Sequence, residues 1–75
     1  MILLHVDNNL KKIRNERGIK QIKMAEDLQV TRQTITAIEN CKYNPGLELS
    51  LKIAEYFDLS VHDIFRLKDS AEPNQ

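Results

Sequence analysis

The chain has no tryptophan, a single cysteine, two glycines and two prolines among its 75 residues. One cysteine excludes an internal disulfide framework. His5, Cys41 and His62 are scattered and lack zinc-ligand spacing, so no metal or other cofactor is expected. No apolar run approaches the roughly 20 residues of a membrane helix. The opening Met1–Val6 lacks a basic leader and is too short for a signal peptide, which points to a cytoplasmic protein with no membrane partner. No nucleophile–base pair, metal cluster or glycine-rich phosphate loop is present, so an enzyme is not expected and no small-molecule ligand is evident. Net charge is missing too, since eleven basic residues balance eleven acidic ones.

That balance hides a division. Through residue 45 the chain holds eight basic and five acidic groups, a net +3, and beyond it three basic and six acidic, a net −3. A basic half able to face an anion is invisible in the overall charge. The small size adds a second constraint, because a chain this short buries only about 60% of its unfolded surface.

Gly18, Pro45 and Gly46 are the interior breaks, and between them the apolar spacing is mostly helical. Asp7 is placed to cap a first helix with Leu10, Ile13 and the stem of Arg17 inward, and Gly18 suits its left-handed stop. A second helix runs from about Gln21 to Leu28, with Met24, Ala25 and Leu28 on one face. Gln29-Val30 is a tight turn, and Thr31 caps a third helix to about Asn40 with Ile35 and Ile38 inward. After a loop around Asn44-Pro45-Gly46, a fourth helix covers about Glu48 to Phe57, with Leu51, Ile53, Ala54 and Phe57 across a wide buried arc. Ser60-Val61-His62-Asp63 reads as a capping box opening a short fifth helix with Ile64 and Phe65. The apolar start, Ile2, Leu3, Leu4 and Val6, is either a strand paired with Phe65–Lys68 or a loose leader. Residues 1–68 are thus one domain, and 69–75 a flexible polar tail.

Residues 21–40 carry the functional signal. Two helices crossing steeply over a short turn need a small residue at the crossing, here Ala25, and apolar neighbours, here Met24, Leu28, Val30, Ile35 and Ile38. The outward face of the second of them is then left polar. That is the helix-turn-helix pattern, whose second helix can lie in the major groove of DNA.

From about Asn9 to Phe65 the chain resembles the Cro/repressor-type, or xenobiotic-response-element, helix-turn-helix family. The matching marks include Leu10-Lys11-Lys12-Ile13-Arg14, Arg17-Gly18, Gln21, Met24-Ala25, Val30-Thr31-Arg32-Gln33-Thr34-Ile35, Ile38-Glu39-Asn40 and Lys42-Tyr43-Asn44-Pro45. The resemblance implies an all-α, five-helix, lambda-repressor-like domain that binds double-stranded DNA as a homodimer and regulates transcription, most simply as a repressor. It places Arg32, Gln33, Thr36 and Ala37 against base edges. It places Gln21, Thr31, Asn40, Lys42, Tyr43, Lys20 and Lys23 near phosphates, where helix N-termini and positive charge favour an anion. It also implies a partly buried ion pair between Arg14 and Glu39. Val61, Ile64 and Phe65 are the candidate dimer contact. Three family positions differ: Gln29 and Cys41 stand where glycine is usual, and Gly46 where a capping serine is usual. A protein-interaction module of the same fold, such as an antitoxin or anti-repressor, is the rival reading.

Overall fold

The computed structural model describes residues 4–69. The expected strand residues Ile2 and Leu3, and the expected tail from residue 70, lie outside them. Two strands and five helices follow one another as β1 (Leu4–Asn8), α1 (Leu10–Glu16), α2 (Gln21–Leu28), α3 (Arg32–Glu39), α4 (Leu47–Phe57), α5 (Val61–Ile64) and β2 (Phe65–Asp69).

The two strands form an antiparallel ribbon in which Val6 faces Leu67, Asp7 faces Arg66 and Asn8 faces Phe65. The ribbon alters two expectations at its edges. Asp7 sits in the strand and does not cap α1. The N-cap position belongs to Asn9, and it is the Asn8 side-chain oxygen that accepts from the Leu10 amide at 3.0 Å. Phe65, placed in the fifth helix by its spacing, instead begins β2, because α5 ends after a single turn and the chain turns extended at Phe65. The same strand reaches Asp69, one residue into the expected tail.

The core gathers one stripe from each helix. Leu10, Met24, Ile35, Ile38, Ile53, Phe57 and Ile64 are completely buried. On α4 the buried stripe is Ser50, Ile53, Ala54 and Phe57, while Leu51 is 52% exposed. Steps of three and four from Ser50 reach each of the other three, and Leu51 lies one step round the helix from that row. The arc expected from the apolar pattern was therefore too wide. Ser50 is accommodated because its hydroxyl donates to the Pro45 carbonyl at 3.3 Å.

Helices α1 to α4 end in the same way. Two successive amides just past each helix turn back to its last-turn carbonyls: Gly18 to Asn15 and Ile19 to Arg14, Gln29 to Glu26 and Val30 to Ala25, Cys41 to Ile38 and Lys42 to Ala37, Asp58 to Glu55 and Leu59 to Ala54. This motif needs one residue with left-handed backbone, normally glycine. Only Gly18 (φ 67) meets that preference; Gln29 (φ 60), Cys41 (φ 59) and Asp58 (φ 58) adopt the same backbone with a Cβ.

Two polar devices reinforce the outer turns. Ser60 and Asp63 form a complete capping box at α5, in which the Ser60 amide and hydroxyl hold the Asp63 carboxyl below the usual carboxylate range. Tyr56 on α4 donates to Asp27 on α2 at 2.6 Å. Burial, reinforced by that bond, pushes the Tyr56 hydroxyl up to about 12. The same bond, with Lys23 beyond it, holds the Asp27 carboxyl low.

Gln29 is exposed, and among the described residues its side chain has no hydrogen bond that glycine would forfeit. Gln29→Gly is expected to raise stability by about 1 kcal/mol by removing the Cβ penalty of the left-handed backbone. Thermal melting followed by circular dichroism should show the rise, and a lower melting temperature would mean that the turn is not strained.

Candidate nucleic-acid interface

Helices α2 and α3 meet through apolar residues that leave each with one buried side. Ala25 is 2% exposed, and Ile35 and Ile38 are completely buried. Thr31 begins α3 with extended backbone, and its hydroxyl accepts from the Thr34 amide at 3.1 Å. Because Ile35 and Ile38 point inward, the helical period turns Arg32, Gln33, Thr36 and Ala37 away from the core. These four residues, with Asn40 and Lys42, line one concavity of about 500 Å³. Arg32 and Gln33 are exposed, and Thr36 and Ala37 are half-buried.

Behind this face lies a polar cluster. Arg14 on α1 donates through Nε to Glu39 Oε2 at 2.6 Å and through Nη2 to Glu39 Oε1 at 3.3 Å. Its Nη1 donates to the Ile19 carbonyl at 2.7 Å. The two side chains are only 9% and 2% exposed. Gln21, at the start of α2, adds a third bond to the carboxylate, Nε2 to Oε1 at 2.9 Å. Its own oxygen faces Arg32 Nε and Thr36 Oγ1, each at 3.4 Å. A basic concavity opens beside this cluster, lined by Arg14, Lys20, Gln21, Ile22 and Arg32.

The remaining candidates are placed unevenly. Lys20 N-caps α2 with extended backbone, next to the free amides of that helix. Lys23 donates to Asp27 at 3.1 Å, so its charge is partly answered within the domain. Asn40, Lys42 and Tyr43 are exposed on the segment leaving α3. Gln21 is brought in but already occupied. Ile64 and Phe65 are 0% and 8% exposed and belong to the domain's own core, so as candidate dimer contacts they are corrected by their burial. Val61 stays half-buried. It shares a shallow concavity of about 140 Å³ with Val6 and with Leu67, which is 66% exposed.

Asn8 was missed. Its amide donates to the Ile38 carbonyl at 2.9 Å and so ties the ribbon to the end of α3, while its oxygen opens α1. An asparagine just before an apolar helical run was the available signal, overshadowed by Asp7 one residue earlier. Cys41 approaches Asp7 at 3.6 Å in the same corner.

The helix-turn-helix family pattern matches residues 10–64. The uncharacterized HTH-type transcriptional regulator MJ0272 of Methanocaldococcus jannaschii is 45% identical over 62 residues, covering 83% of this chain and 94% of that protein. The uncharacterized HTH-type transcriptional regulator YgzD of Bacillus subtilis is 42% identical, with the same coverage of both chains. A protein from Bacteroides fragilis with a known crystal structure superposes with a TM-score of 0.73, covering 85% of this chain and all of that one; at 20% identity the likeness is one of fold.

Removing one side of the buried pair leaves a charge without a partner. Glu39→Ala is expected to lower stability by up to about 3 kcal/mol. Replacing Arg14 and Glu39 together by a matched apolar pair should recover much of that loss. Denaturant titrations of the single and double variants give the coupling energy, and its absence would refute an energetic role for the pair.

Proposed function

Because the chain belongs to the helix-turn-helix family of transcriptional regulators, we propose that it is a homodimeric repressor that reads a near-palindromic operator with α3. The carrying observation is that Arg32, Gln33, Thr36 and Ala37 share one concavity on the side of α3 that the core leaves free. Arginine can give two hydrogen bonds to guanine and glutamine can pair with adenine, while a threonine or alanine methyl suits thymine. Lys20, Lys23, Thr31, Asn40, Lys42 and Tyr43 contact the flanking phosphates. Gln21, whose amide is engaged inside the domain, offers phosphate the backbone amide at the N-terminus of α2. Repression follows from occupancy of the operator. Phosphate contacts supply salt-dependent affinity, and base contacts supply the choice of sequence.

A homodimer follows from what one reading helix can achieve. A single α3 offers few base contacts, and two-fold symmetry would set two of them one DNA turn apart, roughly 34 Å, on a near-palindrome. The contact lies away from α3, on the patch of Val61, Val6 and Leu67.

Selection of bound sequences from a random DNA pool tests this reading. Arg32→Ala is expected to cost about 1–3 kcal/mol on the selected site and to relax choice at one or two base pairs. Lys42→Ala should weaken all DNA alike and reduce the salt slope by about one unit. An unchanged consensus in Arg32→Ala would take the reading role away from α3. Binding to a protein partner, with no salt-steep and sequence-selective DNA binding, would favour the interaction-module reading.

Val61→Asp places a charge in the proposed dimer contact and leaves every DNA-facing residue intact. Sedimentation equilibrium should show a monomer, and the melting temperature should lose its dependence on protein concentration. A variant that remains dimeric and keeps its operator affinity would move the contact elsewhere.

A further inference from the structure

Two asparagines stand where β1 passes into α1, and each ties that junction to a different helix. The Asn8 amide donates to the Ile38 carbonyl at 2.9 Å, and its oxygen accepts from the Leu10 amide at 3.0 Å. The Asn9 backbone amide donates to the Ile64 carbonyl at 3.1 Å. The side-chain NH2 of Asn9 faces two carbonyls, Ile64 at 3.0 Å and Asp63 at 3.2 Å, because only that end of the amide can donate to them. Asn8 thus holds the last turn of α3, and Asn9 holds the end of α5. The start of α1 and the ends of α3 and α5 meet at two adjacent residues.

The elements joined here carry the two surfaces that a dimeric regulator must keep in register. Ile38 belongs to α3, the reading helix. Val61 opens α5, the single turn that Ile64 closes. Val6 lies on β1 two residues before Asn8, and it shares a concavity with Val61 and Leu67. The direction of the Asn8 bond matters. Carbonyls in the last turn of a helix lack intrahelical partners and point along its axis. A donor set against the Ile38 carbonyl therefore resists sliding of α3 along its own length. The buried contacts of Ile35 and Ile38 resist such a slide less, because apolar burial is non-directional. Two-fold symmetry applies any displacement twice, once in each protomer. We propose that Asn8 is a positioning residue that fixes α3 relative to the dimer contact, and so sets the spacing of half-sites that the protein accepts. It acts through α3 and needs no contact of its own with DNA. This inference rests on the homodimer and on α3 being the reading helix.

Asn8→Asp is nearly isosteric. It keeps an oxygen for the Leu10 amide, at a helix start that favours negative charge, and replaces the donor to Ile38 by an acceptor. The measurement is selection by the full chain from DNA pools in which two half-sites are separated by spacers of graded length. The wild-type protein should favour one spacer. In Asn8→Asp, preference for that spacer over those one base pair longer or shorter should fall about 5-fold or more, the lower end of coupling between two sites. The bases chosen within each half-site, and affinity for a single half-site, should hold. An unchanged spacer preference overturns the proposal, as does an altered choice of bases within the half-site. A second measurement leaves Asn8 intact. The Cys41 amide donates to the same Ile38 carbonyl at 3.0 Å, so its NMR resonance reports on that carbonyl. Breaking the dimer with Val61→Asp should shift the Cys41 resonance, and in an Asn8→Asp background that shift should be absent. A Cys41 resonance that ignores Val61→Asp overturns the proposal. A monomeric wild-type protein, or one that selects single half-sites with no spacer preference, would overturn the dimeric reading and this inference together. A dimeric wild-type protein whose sharp spacer preference survives Asn8→Asp overturns the inference alone.

Discussion

The bond network around the Glu39 carboxylate is the constraint on which the rest of this domain depends. Three helices meet there: α1 supplies Arg14, α2 supplies Gln21 and α3 supplies Glu39 itself. A carboxylate with 2% of its side chain exposed is tolerated where its partners are close and directional. Arg14 meets that demand with a fork, and its remaining nitrogen reaches the Ile19 carbonyl at the entry to α2. Hydrophobic contact alone would let α1 slide against α3 at little penalty, because apolar burial is non-directional. The carboxylate fixes their register.

Around that centre the domain holds its helices together with very short connections. A left-handed residue ends each of α1 to α4 and reverses the chain within two residues. The short turn between α2 and α3, which sets the presentation of α3, is one of these. Three such positions carry a side chain where glycine would be unstrained, so local geometry is held by packing against local preference. In so small a domain that opposition leaves little margin. The terminal ribbon contributes to it by binding the two ends of the chain together and joining them, through Asn8, to the Ile38 carbonyl near the end of α3.

The polarity of the exposed α3 face is a consequence of this packing. Ile35 and Ile38 are consumed by the core, so the helical period leaves Arg32, Gln33, Thr36 and Ala37 together on the other side. A surface that mixes one cation, amide and hydroxyl groups and a methyl can meet the donors, acceptors and thymine methyls of a major groove. Arg32 and Lys42 line its concavity, and Arg14, Lys20 and Arg32 line the one beside it. The overall neutrality of the protein therefore conceals a local group of basic side chains beside α3.

Helix periodicity, the small Ala25 at the crossing, the Thr31 cap and the Ser60–Asp63 capping box were all legible from the sequence, because each depends on residues within one or two turns of each other. Arg14 with Glu39 was legible through family resemblance. Other features required the fold. Whether Ile64 and Phe65 face a partner or the interior depends on what covers them, and the core of the same chain does. Leu51 is exposed and Ser50 buried because the neighbouring elements approach α4 from one direction, which an apolar pattern alone leaves too broad. Asn8 connects to Ile38 across 30 residues, and Gln21 lies between Glu39 and Arg32 across 18 and 11. Sequence by itself determined the helices, the helix-turn-helix and which side of α3 faces outward, since these follow from short-range periodicity and capping. Tertiary structure alone decided which polar atoms meet, because a side-chain hydrogen bond depends on distances of a few tenths of an ångström that only the packed helices set.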